Sequence, residues 1–144
     1  MRLTSFTDFG LRALMRMAAE PGRDHSAAEI AAEFGISRDH LTKAIAILAR
    51  AGILTTRRGH GGGARLARPA AQIGLGDVVR VLEREAPLVE CFRADGGACP
   101  IVPRCRLRAY LSEAEAAFLN ALNTHTLADC ALAPVGAPKE GALP

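Results

Sequence analysis

"SRDHLTKAIAILARAGILTTRRGHGGGARLARP", residues 37–69, decides the fold. Ser37 stands where a helix N-cap belongs. Leu41, Ala44, Ile45 and Leu48 follow at the i, i+3, i+4, i+7 spacing of one buried helical face. A helix is therefore predicted over about residues 38–51, ended by Gly52. The rest of the stretch reads as a strand, a basic glycine-rich tip and a returning strand closed by Pro69. Upstream, Gly35 supplies a tight turn, and "SAAE" at 26–29 has the pattern of a capping box, opening a short helix to about Phe34. Further upstream, Thr7 is expected to cap a helix to about Glu20, with Phe9, Ala13, Leu14 and Met17 on its apolar face. Helix, glycine turn, second amphipathic helix and hairpin together make a winged helix-turn-helix. The expected fold is mainly α with a small β wing.

Beyond Pro69 a connector leads to a predicted helix over 76–85 that buries Val78, Val79 and Leu82. "CFRADGGACPIVPRC", residues 91–105, is a loop by composition, with glycines and prolines between its cysteines. A long helix is predicted over 105–123, where Leu107, Leu111, Ala114, Phe118 and Ala121 recur at steps of four, three, four and three. Such a seam needs a partner helix, and a second copy of the chain is the expected one. The expected organisation is a DNA-binding winged domain at 1–85, a cysteine loop at 86–104, a dimerisation helix region at 105–132 and a disordered tail at 133–144.

Net charge is +3 over 144 residues, with +5 in residues 1–70 and −2 in residues 71–144, so the winged half is the one suited to a polyanion. On the helix at 38–51, Arg38, His40 and Thr42 occupy the outward N-terminal positions from which a recognition helix reads base edges, and Lys43 suits a phosphate. Arg57, Arg58, His60 and Arg65 surround the flexible wing tip and suit a minor groove. A winged module serving only protein contacts is the blander alternative; it leaves unexplained why these charges gather on the recognition face and wing. Duplex promoter DNA is the expected partner, and a two-fold dimer would set two recognition helices roughly 34 Å apart on a palindromic site. No basic leader with an apolar core opens the sequence, and no run of eighteen apolar residues occurs, so a cytoplasmic location without membrane partners is expected. No paired carboxylates, no nucleophile beside a base and no glycine loop leading into a helix suggests an enzyme.

In a reducing compartment four cysteines are not expected to form disulfides. Cys91, Cys99 and Cys105 are separated by seven and five residues; zinc ligation, an iron-sulfur cluster or inert packing would each use such thiols. Zinc favours tighter pairs. Three thiolates on a cluster leave one iron to an oxygen or nitrogen ligand or to solvent. Cys130, beyond the long helix, reads as a structural thiol, and His25 and His125 as surface residues.

"LTSFTDFGLRALMRMA" (3–18), "SRDHLTKAIAILARAG" (37–52), "RRGHGGGARLARP" (57–69), "IGLGDVVRVLE" (73–83) and "CPIVPRCRL" (99–107) together resemble the NsrR-type nitric-oxide-sensing repressors of the Rrf-two family of bacterial regulators. The resemblance implies a homodimer with one iron-sulfur cluster per subunit, 4Fe-4S foremost and 2Fe-2S as the alternative, held by Cys91, Cys99 and Cys105. It also implies that Asp8, in the opening "TD", reaches the cluster of the other subunit. Its ordinary reading is an acid in a first helical turn, where the dipole favours negative charge. Nitric oxide acting on the cluster would then release promoter DNA. Related iron-sulfur biogenesis regulators carry a histidine three residues after the last cysteine; here Arg108 stands there, against their 2Fe-2S type of site. An iron- or redox-responsive regulator, a zinc-stabilised one and, from a different class, an iron-sulfur electron carrier are the competing expectations.

Overall fold

The structure, a computed structural model, describes residues 2–132; the tail expected to be disordered, 133–144, lies outside them. Five helices and one hairpin follow in order: α1 (Ser5–Ala19), α2 (Ala27–Phe34), α3 (Arg38–Arg50), β1 (Leu54–Arg57), β2 (Gly63–Leu66), α4 (Leu75–Leu82) and α5 (Arg106–Leu122). The two strands pair antiparallel, Leu54 opposite Leu66 and Arg57 opposite Gly63. Leu54 and Ala64 turn inward, while Thr55, Arg57 and Arg65 share the outer face.

One core unites these elements. Ala13, Leu14 and Met17 of α1, Ile30 of α2, and Leu41, Ala44, Ile45 and Leu48 of α3 are buried together with Ile53, Leu54 and Ala64 of the hairpin and Val78 and Leu82 of α4. Ser37 caps α3, accepting from the His40 amide, and Gly35 closes α2 at φ 63°, a left-handed conformation that costs glycine little. The capping box expected at 26–29 is only half made: Ser26 accepts from the Glu29 amide at 3.1 Å, but the Glu29 carboxylate is drawn to Arg23 instead of the Ser26 amide.

The cap of α1 differs from the expectation. Thr4, not Thr7, accepts the capping bond, from the Thr7 amide at 3.2 Å, and Thr7 is buried one turn inside the helix. The Glu83 carboxylate, at the end of α4, decides between the two threonines: it accepts from the Thr4 amide at 2.8 Å and from its hydroxyl at 2.9 Å.

α5 lies outside this core and packs on α4 at its C-terminal end. Leu119 is buried, and Asn123, just past the helix, accepts from the Asp77 amide at 3.1 Å and donates to the Asp77 carboxylate at 3.0 Å. α4 has Gly74 at its N-cap and no side-chain cap of its own, so Asn123 supplies that cap from another helix. The turn at Leu127–Cys130 then returns to the winged unit: Leu127 is fully buried and its amide donates to the Ile73 carbonyl at 2.8 Å. Cys130 packs against the same core, and burial pushes its thiol up.

His25, expected at the surface, is 1% exposed. Its amide and carbonyl pair with Ala64 at 2.8 Å each, which turns the α1–α2 connection into a third edge beside β2. The ring meets Arg23 at 3.4 Å through Nδ1, and Nε2 has no protein partner. Burial first, then the nearby Arg23 and Arg16 charges, hold the imidazole below its ordinary range, with Glu29 and Glu20 opposing them more weakly. The folded state thus resists a proton that the unfolded state takes up below about pH 6.5, and stability falls on acidification through that window by up to about 1.4 kcal/mol per pH unit. Thermal melts should therefore shift downward between pH 7.5 and 5.5, and His25→Gln should flatten the profile whatever its own stability. The carboxylates of Glu20, bonded by Arg23 and Arg16, and of Asp129, bonded by the Thr126 amide, are held low, so their losses begin only below about pH 4.5. A wild-type profile flat between pH 7.5 and 5.5 would contradict the assignment.

Candidate functional site

Two regions carry chemistry: a charged face on α3 and the wing, and a cleft beside the cysteine loop. Arg38, His40, Thr42 and Lys43 on α3, and Arg57, Arg58, His60 and Arg65 on the wing, are all exposed. The apolar stripe of α3 is spent on the core, and the opposite face is left to them. Their freedom differs. The Thr42 hydroxyl donates to the Arg38 carbonyl at 2.8 Å, which leaves it only as an acceptor. His40 stacks on Phe9 of α1, with centroids 6.3 Å apart and planes 26° from parallel, so its ring is fixed relative to α1. Lys43 and Arg50 border a cleft of about 720 Å³ with Arg84, floored by Phe6, Ile47 and Leu82.

On the wing, Arg57 lies 3.0 Å and Arg65 3.7 Å from the carboxylate of Asp24. Asp24 was not legible as a functional residue: in sequence it is one acid in a "PGRD" turn, and only the His25–Ala64 pairing brings it to the hairpin. Arg58 and His60 at the tip have no protein hydrogen-bond partner among the described residues.

The cysteine loop is built from short turns. Cys91 sits in the turn Glu90–Phe92, Cys99 precedes the turn Val102–Arg104, and Cys105 is the N-cap of α5. All three thiols are free and half-buried. Cys91 and Cys105 line one open cleft of about 940 Å³, together with Arg93, Arg108 and Glu113. The Arg108 guanidinium lies 5.9 Å from the centre of the Phe92 ring, a cation–π contact that ties the turn bearing Cys91 to the first turn of α5 behind Cys105.

As donor chemistry the set fits an iron-sulfur cluster through its three soft thiols on irregular backbone; the cleft's two arginines are matched by Glu113 and Glu115, and Arg93 is paired with Asp95 at 2.9 Å. As geometry the expected trio is not gathered. Cys99 does not line the cleft, and among the described residues no three His, Cys, Asp or Glu side chains converge on a metal position. The physical reason is that the loop has no core of its own: no residue from 83 to 118 is buried. Where a metal site is built on a loop of this kind, the metal–ligand bonds supply its folding free energy. Asp8 is held by its own chain, accepting from Arg12 Nη2 at 2.7 Å and Nε at 3.1 Å.

A winged helix with a basic recognition face, extended by a long, largely unburied helix, defines a regulator of transcription. The Rrf2 family, described as iron-dependent transcriptional regulators, matches residues 3–132, and the chain belongs to it. IscR of T. potens is similar at 26% identity and a TM-score of 0.67, over 90% of this chain and 85% of that one. CymR of Staphylococcus aureus is similar at 26% identity and 0.65, over 89% and 96%. CymR of B. subtilis, described as the global cysteine regulator, shares the fold at 24% identity and 0.66, over 91% and 96%. The family is one of regulators, not of enzymes. No helix among the described residues is long and apolar enough to cross a membrane.

Proposed function

We propose that the chain is a homodimeric repressor that holds palindromic promoter DNA and releases it in response to nitric oxide through an iron-sulfur cluster, 4Fe-4S rather than 2Fe-2S. Cys91, Cys99 and Cys105 would hold the cluster, with Asp8 of the partner subunit as the fourth ligand. The observation that carries the reading is the shared cleft of Cys91 and Cys105 at the start of a helix whose N-terminal apolar residues are exposed. Leu107 and Tyr110 of α5 are 60% and 62% exposed, which suits a helix awaiting a second copy.

Bound there, the cluster supplies irons that react with nitric oxide. The chain's own residues do the rest. Arg108 on Phe92 keeps two thiol-bearing segments together, and Asn123 on Asp77 ties the far end of α5 to α4, next to the recognition helix. Asp8 is available as a ligand because its bond to Arg12 is an exposed i,i+4 pair, worth only about 0.3–0.5 kcal/mol. Regulation needs little energy: about 3 kcal/mol changes DNA affinity more than a hundredfold. A second reading, an iron-responsive regulator without nitric-oxide chemistry, is favoured by the family's description as iron-dependent.

Anaerobic purification followed by iron and sulfide analysis, coupled to DNA binding with and without nitric oxide, tests both. The expected result is iron and sulfide near four per chain and DNA release on nitric oxide. Cys99→Ser should lose most of the iron, and Cys130→Ser should keep it. Iron present with no effect of nitric oxide selects the second reading, and a zinc-loaded, colourless protein removes both.

A further inference from the structure

We infer that Asp24 is a positioning residue for DNA recognition: one carboxylate, anchored beneath the wing, sets the direction of Arg57 and Arg65 and thereby contributes specificity. The inference rests on the reading that the wing meets DNA. Its geometry is asymmetric. The Asp24 side chain is only 13% exposed, while Arg57 and Arg65 are 68% and 50% exposed, so the acid is the buried partner of each pair and the two guanidinium groups are the solvent-facing ones. The backbone fixes the anchor. The paired hydrogen bonds of the neighbouring His25 with Ala64 place Asp24 beside Arg65 on β2, and Arg57 lies on the same face of β1.

Each fork has a second restraint: Arg57 donates to the Gly61 carbonyl at 3.1 Å and Arg65 to the Gly22 carbonyl at 3.4 Å. A guanidinium has five donors, so both side chains keep hydrogens for phosphate or base edges after these contacts. A long side chain held in one rotamer loses less entropy on binding than a free one. Arg58 has no such anchor.

An acid on a DNA-facing surface has an electrostatic cost, since it repels phosphates. This makes positioning separable from mere charge. Asp24→Asn removes the repulsion and frees Arg57 and Arg65. Binding to arbitrary duplex should strengthen a few-fold, with the slope of log affinity against log salt steeper by about one. Binding to the preferred duplex should weaken, because the two forks must then be ordered on binding. The ratio of specific to non-specific affinity should fall about tenfold.

The probes are a duplex enriched by in vitro selection on the wild-type full chain and a shuffled duplex of the same length, titrated across salt concentrations, with thermal melts to confirm that each variant is folded. Asp24→Glu, which restores the charge one methylene further out, should recover part of the ratio. If Asp24→Asn changes both affinities by the same factor, the assignment of Asp24 is overturned while the DNA reading stands. If no duplex is enriched by the wild type, the DNA reading fails and the assignment fails with it.

Discussion

Gly76→Ala should lower the melting temperature by roughly 10 °C and loosen α5 from the winged unit, although alanine is the better helix former. A Cβ at position 76 would lie 2.1 Å from the Leu119 carbonyl oxygen and 2.8 Å from the Asn123 amide group. The first obstacle is backbone and cannot rotate away, so α5 must move outward by about 1 Å to reach ordinary contact. That displacement exposes Leu119 and pulls Asn123 from the Asp77 amide, the bond that caps α4. Overpacking costs about 1–3 kcal/mol and a lost cap about 1 kcal/mol; against these, helix propensity returns up to about 1 kcal/mol. The clash with backbone puts overpacking at the top of its range, so the net loss is about 3 kcal/mol, a large fraction of a domain's stability that gives the stated melting shift. Gly10→Ala is the control. There the new Cβ meets Leu82 Cδ1 at 2.6 Å, the end of a side chain that can repack, so the loss should stay below about 1.5 kcal/mol. Equal melting temperatures for the two variants would mean that α5 is not held as the structure has it.

This coupling also marks where the sequence is readable and where it is not. The recognition helix and the wing are legible in residues 37–69 because caps, the helical period and the glycine-rich tip act over a few residues, and Ser37, Leu41 and Leu48 do what their spacing implies. The stripe of α4 is legible for the same reason. What escapes is set by distant partners. Thr4 and Thr7 are equivalent caps until Glu83 bonds one of them, seventy-nine residues away. His25 looks like a surface residue in a polar turn until Ala64 pairs with its backbone, and the same pairing turns Asp24 from a solvated acid into the anchor of two wing arginines. Nothing near Asn123 announces that it caps α4 across forty-six residues. The cysteine loop fails differently. Its thiols are plain in the sequence, but no residue from 83 to 118 is buried, so neither apolar pattern nor turn chemistry specifies how they are arranged.

The wing arginines carry the second large effect. Replacing Arg57 and Arg58 together by alanine should weaken DNA binding on the order of a hundredfold near 0.15 M salt and reduce the salt slope by about two, one for each phosphate left without its arginine. Arg58→Ala should leave the fold unchanged, since its side chain is exposed and unpaired among the described residues; Arg57→Ala also removes the nearer partner of the 13% exposed Asp24 carboxylate, so its melting temperature should fall modestly, and melts confirm that both variants are folded. The single variants should not be equal. Arg58→Ala removes one cation from an unpartnered position. Arg57→Ala also leaves the Asp24 carboxylate, 13% exposed, with only the longer approach of Arg65 at 3.7 Å, so an incompletely neutralised negative charge then lies beneath the wing and repels phosphates. Arg57→Ala should therefore cost more affinity than Arg58→Ala, and Asp24→Asn added to it should restore part of the loss, whereas added to Arg58→Ala it should restore little specific binding. Fluorescence anisotropy on the selected duplex measures all four. Equal losses for the two single variants, with no recovery in the Asp24→Asn/Arg57→Ala double variant, would remove the electrostatic link between the wing and its anchor.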